Sequence, residues 1–256
     1  KDGQDGKYTA TQFTWKEKLI FDSQMTVTPL SEIESNAYLG DLLLHTGGYA
    51  DAETHLNKAL AADPNSNAAR ISLGLVKMRQ RQFAEAKKHL EAALIGNQKN
   101  HFAHYSYAFI LSRESVDEFG MVRDYPAESL RKMKSSLVKA IELNPHFGES
   151  YRLLGFVSLV SGEDLDEALK IVNKGLAIQP GNPDYLLLTA KILLRQEKLA
   201  EAKLVAEKVA RATDKKEVRA EADGLIKSIQ QFEQTKSAYE KQMKDAIAEI
   251  ESKGGK

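Results

Sequence analysis

One spacing constrains this chain more than any other property. Gly40 recurs as Gly74, Ala52 as Ala86, Leu56 as Leu90 and Ala59 as Ala93, each time at an interval of 34 residues. Within Ala37–Asn65, AYLGDLLLHTGGYADAETHLNKALAADPN, two amphipathic stretches with helical periodicity flank a Gly-Gly turn. Pro64 cannot continue the second stretch and forces a turn into the next copy. Small residues at 40 and 52 mark the place where two antiparallel helices cross closely, since a larger side chain there would push them apart. Leu39, Leu43, Leu56 and Leu60 are expected to fill the layers around that crossing. A chain built from such copies cannot bury each one alone, so neighbouring copies must stack.

Three further copies depart from the template to different degrees. The third begins with His101–Ser112, Ala108 standing where Gly40 did, and ends in LVKAIELNP with Leu137, Ala140 and Pro145. Ala108 and Ala140 are 32 residues apart, against 19 between Gly40 and Ala59, which leaves 13 extra residues in the region Glu114–Glu128. The fourth carries Tyr151, Leu154, Gly155, Ala168 and Pro180, with one extra residue in GEDLD. The fifth carries Ala190, Ala202, Ala206 and Val209, with Asp214 in the proline position. In the second copy Gln98 replaces the proline, and Gly96-Asn97 is expected to make the turn. The unit boundaries read as 31–66, 67–100, 101–147, 148–182 and 183–214.

The flanks differ from the repeats. Residues 1–30 read as an extended arm or linker. In Thr11–Phe21, Phe13, Trp15, Leu19 and Phe21 lie on one side of a period-two pattern. Ser31 with Glu34 forms a capping box that starts the first helix. From Lys215 onward Val218, Ala222, Leu225, Ile229, Phe232, Tyr239, Met243, Ala246 and Ile250 follow alternating steps of four and three, with Lys236 as the one misfit. The first half of this 215–256 segment is expected to cap the stack. The remainder, running to about Ser252 before Gly254-Gly255, is either a projecting helix or a seam for homodimer formation.

Lys plus Arg and Asp plus Glu both total 36, so no basic excess points to nucleic acid. Cysteine is absent, which removes disulfides, thiolate zinc sites and cysteine nucleophiles. No apolar run approaches the roughly 18 residues of a membrane span. Phosphate-binding Gly loops, HExxH and GxSxG are also missing. His101 and His104 have a metal-compatible spacing but no evident third ligand. Glu163, Asp164, Asp166 and Glu167 lack calcium-loop spacing and suit a helix N-terminus. Neither an enzyme nor a cofactor is expected. The start at Lys1, without Met or an apolar signal core, reads as that of a processed or excised piece.

A 34-residue period with two helices per unit resembles the tetratricopeptide repeat. The likeness covers about three quarters of the chain and is sharpest in the first, second and fourth copies. It implies an all-α fold: a right-handed superhelical solenoid of about five helix pairs, with a long C-terminal capping helix and an extended N-terminal arm. It implies non-enzymatic work, holding a protein or peptide in a concave groove lined by the first helix of each pair. The residue style resembles bacterial repeat regions at the C-terminal end of larger proteins, some with a peptidase-like domain upstream. Such a parent would favour an extracytoplasmic location.

Carried onto this chain, the resemblance turns Ala37, Asp41 and Leu44-His45 toward the groove, followed by Ile71, Leu75 and Met78-Arg79. Phe102, Tyr105, Phe109 and Arg113 come next. Glu149, Arg152, Phe156 and Leu159 follow, then Leu187, Lys191, Leu194 and Arg195. Chaperone-binding relatives grip a terminal carboxylate with a Lys/Asn clamp; Ala37, Asp41, Ser72 and Ile71 occupy those places here, so the clamp is absent. A groove apolar and aromatic in its middle, with arginines along one edge, suits an amphipathic helix or an extended apolar strand. Two alternatives stay open: burial of these aromatics between neighbouring helices, and occupancy by the Phe13–Phe21 arm. The insertion, with Arg123, Asp124, Tyr125 and Pro126, reads as a packed loop or a further contact.

Overall fold

Ser31 opens the first helix as a reciprocal cap. Its hydroxyl accepts from the Glu34 amide at 3.2 Å, and the Glu34 carboxylate accepts from the Ser31 amide at 2.9 Å. The computed structural model describes residues 30–96, 98–118 and 121–254. The expected extended arm, the Asn97 half of the second-copy turn and Gly255 lie outside the described residues. All regular structure among the described residues is α-helical. The chain divides into two compact units at Glu114–Ser115.

The first unit holds α1 Glu32–Thr46, α2 Tyr49–Ala62, α3 Asn67–Arg79, α4 Phe83–Gly96 and α5 His101–Glu114. Helices α1 and α2 pack as one pair and α3 and α4 as the next. The pairs are joined through α2 on α3, with α1 also touching α3, and α5 packs on α4. Gly40 makes the first crossing possible: a Cβ there would lie 2.5 Å from Leu56 Cγ and 3.2 Å from the Ala52 carbonyl oxygen. Ala52, Leu56 and Ala59 are fully buried opposite it, whereas Leu39, Leu43 and Leu60 are only half-buried. Polar contacts tie neighbouring pairs together. The Ser72 hydroxyl donates to Asp41 at 2.8 Å, and Lys77 Nζ, buried on α3, donates to Glu53 of α2 at 2.7 Å.

The second unit holds α6 Ala127–Leu143, α7 Gly148–Ser161, α8 Leu165–Ile178, α9 Pro183–Arg195, α10 Leu199–Ala212 and α11 Lys216–Gly254. Here α7 pairs with α8 and α9 with α10, while α6 packs on α7 and α8 on α9. Gly155 repeats the close crossing, a Cβ there falling 2.3 Å from Val172 Cγ2. The buried ring of Tyr185 fills the space left by Gly175, and its hydroxyl donates to the Gly148 carbonyl. Helix α11 closes this unit by packing on α9 and α10, burying Val218, Ala222 and Ile229.

Candidate partner-binding surface

In α5 the packing faces are taken by Ala103, Ser106, Tyr107, Ala108, Ile110 and Leu111, all buried. The remaining stripe consists of Phe102, Tyr105 and Phe109, each half-exposed. Steps of three and four residues put them on one face of the helix. Their rings stack in series: Phe102 to Tyr105 at 6.1 Å between centroids and 22° between planes, and Tyr105 to Phe109 at 6.3 Å and 28°. Arg113 and Arg79 are exposed in the last turns of α5 and α3, where a cation also complements the helix dipole.

The other residues assigned to a groove from sequence are placed less openly. Ile71, Leu75 and Leu44 retain only 8%, 6% and 7% exposure, because α3 and the end of α1 are sandwiched more deeply than a one-faced helix would be. Asp41 is engaged with Ser72. In the second unit Phe156 is half-exposed and rests against the cluster of Tyr151, Val172 and Tyr185. Arg152 is held by Glu149 in its own helix, with Nε at 3.0 Å and a terminal nitrogen at 2.8 Å. Leu187 is core, packed with Val209, Val218 and Ala222, and Lys191 pairs with Glu221. Leu159 is likewise buried. The covering element for Leu187 and Lys191 is α11. The signal available in the sequence was Glu221 standing 30 residues after Lys191, the same offset by which Lys203 meets Glu233 at 3.4 Å.

Electrostatically the most developed feature lies inside the first unit. Lys77 bridges Glu53 at 2.7 Å and Glu85 at 3.1 Å. The hydrogen bond from Lys77 holds the Glu53 carboxyl below its ordinary value, and the bond to Glu53 raises Lys77 in turn. Burial, reinforced by the positive charge of Lys77, lowers His89 on the neighbouring α4. This cluster joins α2, α3 and α4 and serves packing.

The histidine and acidic candidates have structural work as well. His104 is buried, with Nε2 at 3.1 Å from the Gln98 carbonyl oxygen. Asp164 caps α8 by accepting from the Glu167 amide at 3.0 Å, and Gln196 donates to Asp166 at 2.8 Å. Among the described residues no three His, Cys, Asp or Glu side chains group as metal ligands. Tyr125 in the insertion is 4% exposed, and its burial pushes the phenol up to about 12. The ring of Tyr125 thus packs inward, while Arg123 pairs outside with Asp117 at 3.5 Å. No described helix is long and apolar enough to cross a membrane.

Paired antiparallel helices with small residues at each crossing define a helical-hairpin repeat protein. Residues 38–108 match the family model for the tetratricopeptide repeat. Over that stretch the chain is similar to the tetratricopeptide repeat, and its all-α architecture of stacked helix pairs is of the tetratricopeptide type. Its fold is similar to that of YrrB, described as a TPR protein with an unusual peptide-binding site, at a TM-score of 0.61 and 21% identity over 74% of this chain and 90% of that one. It is also similar to PilF of Pseudomonas aeruginosa, with a TM-score of 0.57 and 20% identity over 77% and 88% of the two chains. MamA of Desulfovibrio magneticus RS-1 is similar at a TM-score of 0.60 and 15% identity over 72% and 98%. No curated protein sequence matches the chain.

Proposed function

We propose that this protein is a non-enzymatic scaffold that holds a protein or peptide partner, with the α5 stripe as its principal contact. The observation that carries this reading is the stacked, half-exposed series Phe102, Tyr105 and Phe109. An aromatic row of this kind offers contact area at little conformational cost and fits the apolar side of an amphipathic helix or an extended strand. The peptide-binding description of YrrB supports the same class of ligand. Arg79 and Arg113 add positive charge and favour a partner with acidic residues beside its apolar anchors. Of the other residues expected at a groove, Ile71, Leu75 and Leu187 are nearly enclosed and Lys191 is paired with Glu221, so the contact is assigned to the α5 stripe alone.

The test uses Tyr105→Ala with Phe109→Ala in one chain. Anisotropy titrations against a panel of amphipathic peptides should show binding to the parent and at least a tenfold loss in the variant, with unchanged helical circular dichroism. Equal binding by both chains refutes the α5 assignment.

A second reading has its own observation. Phe232, Tyr239, Met243 and Ile247 on α11 are 57%, 63%, 46% and 50% exposed, a face open to self-association. On this reading the domain positions or dimerises a neighbouring domain while its own N-terminal segment occupies the groove. Deleting residues 1–30 should then raise binding of a hydrophobic dye and lower stability; no change in either removes the arm from the groove.

A further inference from the structure

The aromatic row of α5 does not end at Phe109. One more step of four residues reaches Arg113, so three rings and a guanidinium form one stripe on a single face of the helix. From Phe102 to Arg113 the stripe runs about 16 Å at 1.5 Å per residue. Arg79 stands 34 residues before Arg113, at the same position of α3, a helix that packs against α5. Both arginines are exposed, and among the described residues neither pairs with a carboxylate. Arg123, Arg152 and Arg211, by contrast, are taken up by Asp117, Glu149 and Glu207. At the opposite end of the stripe Lys99 and His101 already interact within the protein. The surface therefore has a direction: apolar along its length, with two open cations at the C-terminal end of α5.

From this asymmetry we infer that the partner segment is an α-helix lying antiparallel to α5, with an acidic residue one turn before its apolar anchors. The inference rests on the α5 reading proposed above and adds conformation, direction and register to it. Spacing selects the helix. Facing side chains of a second helix recur every three to four residues, as the stripe does, and stay in step over all four positions. In an extended strand same-side residues recur about every 6.6 Å, so four of them span about 20 Å and overshoot the stripe by about one residue.

Direction follows from charge. The acidic residue has to meet Arg113 and Arg79, at the C-terminal end of α5. That end carries partial negative charge from its open carbonyls, which favours the amino end of a neighbouring helix over its carboxyl end. An antiparallel partner places its acidic residue in its own first turn, where the helix dipole stabilises it; a parallel partner would place it in the last turn, where the dipole opposes it. Read backwards along α5, the register sets the acid opposite Arg113. Apolar side chains four, eight and eleven residues later then fall opposite Phe109, Tyr105 and Phe102.

Two fluorescein-labelled helical peptides of alanine and glutamine make the test. One carries Glu followed by Leu at four, eight and eleven positions; the other is the same sequence reversed. Anisotropy titrations with the full chain should show the first binding at least tenfold more tightly than the second. Arg79→Glu with Arg113→Glu should erase that preference. The first peptide with Lys in place of Glu should then bind this variant at least tenfold more tightly than the Glu form does, a reversal that loss of folding cannot produce. Equal affinity for the two directions, preference for the reversed peptide, binding of neither, or no rescue by Lys overturns the inference. Binding that is lost in Tyr105→Ala with Phe109→Ala but is indifferent to peptide direction leaves the α5 reading standing and removes the antiparallel helix alone. Binding that survives that double exchange overturns the α5 reading and the inference with it.

Discussion

Glycine-to-alanine exchange inside these helices should change sign from site to site, and the geometry says where. Alanine is favoured over glycine in a helix interior by about 1 kcal/mol. At Gly224, exposed in α11, an added Cβ would meet nothing within 4 Å, so Gly224→Ala should gain about that amount. At Gly40 the new carbon would fall 2.5 Å from Leu56 Cγ, an atom in the middle of a fully buried side chain. At Gly155 it would fall 2.3 Å from Val172 Cγ2, on a β-branched residue with little rotamer freedom. Overpacking of this kind costs about 1–3 kcal/mol, so the net effect at both sites is a loss of up to about 2 kcal/mol. Gly74 is intermediate, with the nearest contact at 2.9 Å to Leu90 Cγ, and should lie near zero. Urea denaturation followed by circular dichroism gives the ordering directly: Gly224→Ala most stable, Gly74→Ala near the parent, Gly40→Ala and Gly155→Ala least. Stabilisation at 40 and 155 matching that at 224 would refute the claim that close helix crossing selects glycine there.

Two other predictions concern the turns and the charge cluster around Lys77. Arg81 and Glu197 both adopt φ of 62°, at the place two residues before the next helix where Gly47 has φ of 85°, so Arg81→Gly and Glu197→Gly should each add about 0.5–1 kcal/mol in the same denaturation assay. Acid should weaken the first unit in two stages. His89 titrates below its ordinary 6.5 in the folded chain, so stability present above pH 6.5 is lost as pH falls through the folded value. Glu53 titrates below 4.5, so its contribution is kept above pH 4.5 and lost at lower pH. Melting temperatures across pH 7 to 3 should lose the earlier slope in His89→Gln and the later one in Glu53→Gln; profiles parallel to the parent's would refute the assignments.

The repeat was legible because it is a local property written several times. The interval from Gly40 to Gly74, the cap at Ser31 and the prolines at 64 and 145 are short-range signals, each with one physical meaning. They specified helix pairs and the crossing points without reference to any distant contact. The aromatic stripe of α5 was legible for the same reason, since Phe102, Tyr105 and Phe109 share a face by helical geometry alone.

Burial was not legible in this way. Ile71 and Leu75 have the same helical phase a groove-lining residue would have, yet they are enclosed because α3 has neighbours on several sides. Leu187 and Lys191 were lost to the groove for a further reason: α11 lies on α9 and supplies Val218, Ala222 and Glu221 to them. The four-three pattern from Val218 to Ile250, interrupted only by Lys236, gives α11 one seam. It does not show where along that seam the partner changes. The sequence alone determined the repeat, the helix pairing and the kind of face each helix carries, because these follow from residue spacing. Only the tertiary structure decided which faces stay open, because that depends on which helix lies against which. For α11 it decided that the covered seam ends near Glu233 and the open one begins there.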